Sequence, residues 1–161
     1  MKTVLRQVQL PARRKLLLAG LAAAAMPLHA ESGGLPMATA LQQHLQQALG
    51  KGQPLVVMVS LHGCPFCRVA REHYLLPLSR EQALPVVQVD MRSAQAMRDF
   101  AGVVRTHDAQ VRAWGVRMAP TVLFFGRGGV EVAERLVGAG MPDFYGAYLE
   151  ERLTTARNAL G

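Results

Sequence analysis

Cysteine is scarce in this sequence: Cys64 and Cys67 are the two that occur among its 161 residues. Two cysteines are too few for a small domain stapled by several disulfides, and they cannot supply a four-cysteine zinc site. Long apolar runs are also missing, since none approaches the length of about 20 residues that a membrane-spanning helix needs. Half of the residues are hydrophobic and 18% are charged. This balance excludes a disordered chain and favours a single folded domain.

Acidic residues are absent before Glu31, although the whole chain carries a formal charge of +7. Such a charge is typical of nucleic-acid binding proteins when it is spread over the domain. Here five of the 18 basic residues lie in the first 15 positions, and from Glu31 onward 13 basic residues face 11 acidic ones. We therefore expect no nucleic-acid partner.

The basic start of the chain is followed by an apolar run of 11 residues, 16–26, and then by Pro27 and Ala30. This order is typical of an export signal, and it predicts a signal peptide over residues 1–30 with a folded domain over residues 31–161. An amphipathic or buried N-terminal helix is the alternative. We expect a periplasmic protein; the general secretory route is favoured, and Arg13-Arg14 leaves the twin-arginine route possible.

Apolar periodicity predicts an α/β arrangement of alternating helices and strands in the remainder of the chain. Strands are predicted over residues 55–59, 85–89, 121–125 and 130–137. Helices are predicted over residues 41–49, 93–104 and 109–114, from the second cysteine to about residue 76, and from Pro142 onward. Asp108 is the predicted N-cap of the 109–114 helix. The histidines His44, His73 and His107, and the arginines Arg68 and Arg71, are expected to be solvated.

The two cysteines stand at the end of a predicted buried strand and the start of a predicted helix. A helix N-terminus stabilises a thiolate and lowers the cysteine pKa from about 8.5 to roughly 3.5–7.5. We therefore predict that Cys64 is the nucleophile of a thiol–disulfide exchange and that Cys67, one helical turn later, resolves the mixed disulfide. An inert disulfide would stabilise little, because its loop is short. A metal pair with His62 or His73 lacks a convincing fourth ligand, so no metal site is predicted.

Several ordered segments resemble the thioredoxin family over roughly residues 55–153. They are the Cys-Pro-Phe-Cys segment, 114–117 (Trp-Gly-Val-Arg), 118–125 (Met-Ala-Pro-Thr-Val-Leu-Phe-Phe), 126–130 and 137–139. The resemblance implies a thioredoxin fold, a central mixed β-sheet flanked by helices, with no bound cofactor beyond the redox-active cysteine pair. It also implies a cis peptide bond before Pro120, so that Ala119 offers its backbone to a protein substrate. Phe66 is expected to contact that substrate, and His62 and Pro65 to tune the thiolate.

The sequence departs from the thioredoxin pattern in several places. Gly63 replaces the family's tryptophan, Pro65-Phe66 replaces its Gly-Pro, and Met58 replaces its buried acid. The connection before the cis-proline loop, residues 91–107, is also longer. With the export signal, these features resemble exported thioredoxin-like proteins of the thioredoxin/Dsb type that reduce disulfides in the periplasm. The resemblance implies a monomeric reductase for protein disulfides, supplied with electrons by a membrane donor of the Dsb type. A disulfide oxidase and a metal-binding thiol chaperone are the alternatives.

Overall fold

Four strands form the larger of the two sheets found in residues 34–139 and 142–161, the part of the chain that this computed structural model describes. The strands are β1 Leu55–Ser60, β2 Val86–Asp90, β3 Ala96–Arg98, β4 Val104–Thr106, β5 Thr121–Phe125 and β6 Leu136–Val137. The helices are α1 Leu41–Gly50, α2 Pro65–Val69, α3 Leu76–Glu81, α4 His107–Ala113 and α5 Pro142–Asn158. A π-helical turn, Ala70–Leu75, joins α2 to α3, and a 3-10 turn, Arg127–Gly129, follows β5. The predicted signal peptide lies outside the described residues.

The larger sheet has the order β2-β1-β5-β6. It is mixed, because β1 runs parallel to β2 and antiparallel to β5. Every residue of β1 and β5 is buried, as expected for strands covered on both faces. On one face Val56 packs in a cluster with Leu149 of α5, and on the other Val57 packs in a cluster with Leu41 of α1 and Val111 of α4. Helices therefore flank the sheet on both sides. Among the helices described, none combines the length and the apolar character that crossing a membrane requires.

The helical stretch that begins at Pro65 continues past Pro77 and ends at Glu81, in three segments. Proline has no backbone N–H, so Pro77 cannot donate the helical hydrogen bond to the preceding turn. The wider π turn Ala70–Leu75 lies directly before this interruption, and both prolines and π turns are known to interrupt the regular hydrogen bonding of a helix.

The prediction of a helix over residues 93–104 is wrong, because this segment contributes to an antiparallel pair, β3 and β4. The turn between these strands is organised by the buried Asp99. Its carboxylate accepts hydrogen bonds from the backbone N–H groups of Ala101 and Val103, both at 2.9 Å, and from Nε of Arg105 at 2.7 Å. When an aspartate side chain accepts hydrogen bonds from the N–H groups of the residues that follow it, these bonds compete with those of a helix.

The strand predicted over residues 130–137 is reduced to β6, Leu136–Val137, and one isolated bridge between Glu131 and Phe125. Between these two points the chain leaves β5. Arg135 forms an ion pair with Glu131 and donates a hydrogen bond to the carbonyl oxygen of Trp114 at 2.9 Å. These contacts hold the segment in a bend, which interrupts the ladder.

Two expectations about the region of α4 are also corrected. Thr106, not Asp108, is the N-cap of this helix, and its hydroxyl accepts a hydrogen bond from the N–H of Ala109 at 3.1 Å. His107 was expected at the surface but is fully buried. Its Nε2 donates to the carbonyl oxygen of Ala38 at 2.9 Å, and its Nδ1 accepts from the N–H of Asp90 at 3.1 Å. The imidazole thus connects the segment before α1 to the end of β2.

Candidate active site

Cys64 and Cys67 form a disulfide at the point where the chain passes from β1 into α2. Their Cα atoms are 5.2 Å apart. Gly63, with φ of +73°, turns the chain in the loop that precedes the pair, a conformation that glycine adopts without steric cost. Cys64 is the N-cap of α2, and its sulfur accepts a hydrogen bond from the N–H of Cys67 at 3.1 Å. Pro65 occupies the first helical position, where its missing N–H is best tolerated.

The two sulfurs differ in their accessibility. Cys64 is half-buried, whereas Cys67 is 1% exposed and belongs to the same core cluster as Met58. Substrates therefore reach Cys64 first, while Cys67 sits in an apolar environment that disfavours a thiolate. This arrangement suits the predicted division of roles, in which Cys64 attacks and Cys67 resolves.

The loop before β5 borders the disulfide on one side. The Ala119–Pro120 peptide bond is cis, and the carbonyl oxygen of Ala119 lies 3.9 Å from the sulfur of Cys64. The hydroxyl of Thr121 donates to the carbonyl oxygen of Met118 at 2.8 Å, and the N–H of Gly138 donates to that of Pro120 at 2.7 Å. These bonds fix the loop on both sides of Ala119 and leave the Ala119 backbone next to the reactive sulfur.

Exposed apolar side chains accompany the disulfide and this loop. Phe66 is 59% exposed, Met118 57% and Val137 54%. Met118 lies against the β6 end of the site, since its sulfur is 3.8 Å from where a Cβ of Gly138 would stand. The arrangement offers apolar surface near the reactive sulfur; that Phe66 contacts a substrate remains a prediction.

Of the histidines considered as tuning groups or ligands, His62 lies near the disulfide, because it lines the same cavity as Cys64. His62 and His73 are exposed, and His62 shares the loop with Gly63. Burial lowers the pKa of His44, which belongs to α1. Within the described part of the chain, no group of three or more His, Cys, Asp or Glu side chains is arranged to hold a metal ion.

On the other side of the disulfide lies a polar cavity of about 300 Å³, which sequence reasoning missed. We call it the arginine cavity; its lining includes Ser60, Cys64, Arg68, Arg71, Gln88 and Asp90. Arg71 was expected to be solvated, but its side chain is 23% exposed and its Nη1 donates to Oε1 of Gln88 at 3.2 Å. Nε2 of Gln88 donates in turn to Oδ1 of Asp90 at 2.8 Å. One feature of the sequence does indicate this cavity. Arg68 and Arg71 are one helical turn apart, so they lie on the same face of the helix that follows Cys64.

Comparison with known proteins identifies the family. The profile of the thioredoxin-like domain matches residues 41–152. Solved structures that resemble the chain include thioredoxin O2 from Arabidopsis thaliana in its oxidised state, with 20% identity, 71% of this chain and 93% of that chain covered, and a TM-score of 0.49. The thioredoxin of Fasciola hepatica has 21% identity, covers 72% and 96% of the two chains, and has a TM-score of 0.47. The periplasmic thioredoxin SoxS from Paracoccus pantotrophus, in reduced form, has 23% identity, coverages of 65% and 99%, and a TM-score of 0.41. None of the curated proteins is significantly similar to this sequence.

The chain belongs to the thioredoxin-like family, and the predicted thioredoxin fold is confirmed. It is a thiol–disulfide oxidoreductase with a redox disulfide between Cys64 and Cys67. Proteins of the thioredoxin-like family act on protein thiols and disulfides.

Proposed function

We propose that this protein is a periplasmic disulfide reductase, kept reduced by a membrane dithiol donor of the Dsb type. One observation carries the direction of transfer: within the described residues, the sulfur of Cys64 accepts a single backbone hydrogen bond, from Cys67. The next residue, Pro65, has no N–H to contribute. A weakly stabilised thiolate makes the reduced form less stable and the pair more reducing.

The N-terminus of α2, where Cys64 is the N-cap, and the charges near Cys64 act in the opposite direction. Arg68 and Arg71 line the same cavity as Cys64 and favour its thiolate, whereas Asp90 offsets part of their charge. If the arginines outweighed the scarcity of hydrogen bonds, the pair would be an oxidant instead. The oxidase is therefore the second candidate function, and the reduction potential separates the two.

The proposed reaction is a two-electron exchange. The Cys64 thiolate attacks one sulfur of a substrate disulfide, which breaks the substrate S–S bond and releases its other sulfur as a thiolate that takes up a proton. Cys67 then loses its proton and attacks the sulfur of Cys64. This step forms the Cys64–Cys67 disulfide and releases the second substrate thiol, so the substrate gains two electrons and two protons. The membrane donor returns both electrons through a dithiol of its own.

Met58 stands where thioredoxins have a buried acid, and this difference affects the second step, in which Cys67 loses its proton and attacks Cys64. Met58 is fully buried in the cluster that contains Cys67, and its thioether cannot accept the proton of a thiol as a carboxylate would. We infer that this proton leaves through water at the mouth of the site after the substrate has bound. The proposal also includes a monomer, because Phe66, Met118 and Val137 must stay uncovered to contact substrates.

The decisive experiment is the reduction potential of the mature protein, measured by equilibration with glutathione. We expect a value nearer to about −270 mV, the thioredoxin end of the scale, than to about −120 mV, the strongly oxidising end. Thiol trapping in intact cells should find the pair mostly reduced. A pair that is almost wholly oxidised, with an intact donor pathway, would assign the protein as an oxidase. N-terminal sequencing of the native protein tests export and should find a chain that starts near Glu31.

A further inference from the structure

The arginine cavity lies on the side of the disulfide away from the cis-proline loop. β1 has β5 on one side and β2 on the other; the loop with Ala119 precedes β5, whereas Gln88 and Asp90 of the cavity belong to β2. Cys64 borders both features, since it contacts Ala119 and also lines the cavity. A polypeptide bonded to Cys64 can therefore place one part against the loop and another in the cavity.

Arg71 is held in place as a donor within this cavity. Gln88 is 9% exposed, and its side-chain oxygen accepts from Nη1 of Arg71 while its amide is anchored by Asp90. Glu72 is 4.0 Å from Nη2 of Arg71, at the limit of an ion pair. A guanidinium carries five N–H donors, so most of those of Arg71 are left for a ligand. An arginine already oriented by neighbours loses less freedom when it binds a carboxylate.

The charge of the cavity favours an anion. Among the side chains that line it, Arg68 and Arg71 exceed the single carboxylate of Asp90, to which the amide of Gln88 already donates. Glu72 is not part of the lining, and its side chain is 49% exposed. Arg68 is exposed; its backbone N–H donates to the carbonyl oxygen of Cys64, and within the described residues its guanidinium has no hydrogen-bonding or ion-pair partner. A volume of about 300 Å³ is at the small end of ligand sites and suits one or two side chains of a bound segment.

We propose that the arginine cavity binds a carboxylate carried by the substrate polypeptide next to its reacting cysteine, so that the enzyme prefers acidic sequences around the disulfide. The inference rests on the proposed reduction of protein disulfides and adds a substrate preference to it. Planar carboxylates match the paired N–H groups of a guanidinium, and the ligand is presented to the cavity by its covalent bond to Cys64.

The test compares short peptide disulfides in which the residues on both sides of the cysteine are Asp, Asn or Lys. The intact protein is expected to reduce the Asp peptide with a kcat/KM on the order of tenfold above that of the Lys peptide, the factor expected for one hydrogen bond between charged groups. Added salt should shrink this ratio, because it screens exposed charges. The Asp peptide with Ser in place of Cys should also bind the reduced protein more tightly than its Lys counterpart in calorimetry.

Arg68→Gln with Arg71→Gln should bring the Asp to Lys ratio close to one. The matched control is Lys51→Gln with Arg80→Gln, which removes the same charge from exposed residues near the start of β1 and the end of α3 and should leave the ratio unchanged. An equal rate for all three peptides with the unaltered protein would overturn the inference while leaving the reductase in place. So would a preference that persists in the Arg68→Gln, Arg71→Gln variant. If none of the peptides were reduced, the proposed function itself would be wrong.

Discussion

The sulfur of Cys64 lies 3.9 Å from the carbonyl oxygen of Ala119, although 55 positions separate these residues in the chain. The contact joins the loop that follows β1 to the loop that precedes β5, and these two strands are neighbours in the sheet. Its consequence is that a backbone suited to strand-like pairing stands beside the one sulfur that substrates can reach. Peptide segments that pair with exposed backbone gain affinity from main-chain hydrogen bonds, whereas side-chain pockets supply specificity.

The unequal burial of the two sulfurs predicts different outcomes for their replacement. Cys64→Ser should abolish reduction of insulin, because the accessible nucleophile is lost. Cys67→Ser should still attack but should accumulate mixed disulfides, visible by mass spectrometry, because nothing resolves them. In the reduced protein, iodoacetamide should modify Cys64 faster than Cys67. Faster alkylation of Cys67 would reverse the assignment of the two roles.

The exposed ring of Phe66 is expected to serve substrate binding rather than stability. Phe66→Ala should lower kcat/KM for a protein substrate roughly tenfold, as when about 1.4 kcal/mol of contact is lost. The free energy of unfolding should stay within about 0.5 kcal/mol of its original value, since the side chain is mostly exposed.

Phe144→Ala is the matched control for this variant. Phe144 is 58% exposed on α5, and its replacement should leave kcat/KM unchanged. A Phe66→Ala enzyme with full activity would remove Phe66 from the substrate surface.

Those parts of the fold that depend on local pattern could be predicted from the sequence. The continuous apolar runs identify β1 and β5 because both strands are covered on both faces, and the Cys-Pro-Phe-Cys segment after β1 identifies the redox pair. The failures come from side-chain hydrogen bonds, which the spacing of apolar residues does not reveal. Asp99 bonds the backbone of its own turn and creates β3 and β4, where apolar spacing alone indicated a helix. The orientation of Arg71 depends on Gln88, a residue of the neighbouring strand whose proximity becomes visible with the strand pairing.

His107 illustrates the same limit and supports a prediction about stability. Its imidazole bonds both Ala38 and Asp90 in a fully buried position. His107→Ala should therefore lower the free energy of unfolding by about 3 kcal/mol, from lost packing and from a buried N–H and C=O left without partners. Urea denaturation measures the change. His73→Ala, at an exposed histidine, should change the same quantity by less than about 0.5 kcal/mol, and an equal loss in both variants would contradict the role given to His107.

The carboxylate of Asp99 makes part of the stability dependent on pH. Burial acts to raise the pKa of Asp99, but hydrogen bonds from Arg105 and from two backbone N–H groups, with the charge of Arg105, hold that pKa below its ordinary value. A carboxyl group whose pKa is lower in the folded state stabilises the protein above its unfolded pKa of about 3.9, and this contribution is lost as the pH falls through the folded pKa. Asp99→Asn should thus lower the free energy of unfolding at pH 7 by about 1–3 kcal/mol. The difference from the unaltered protein should shrink below about pH 4.

Glu150→Gln, which removes an exposed carboxylate 3.5 Å from Arg157, should show almost no difference at either pH. A difference for Asp99→Asn that is the same at pH 7 and pH 3 would show that the charge of Asp99 does not hold the turn.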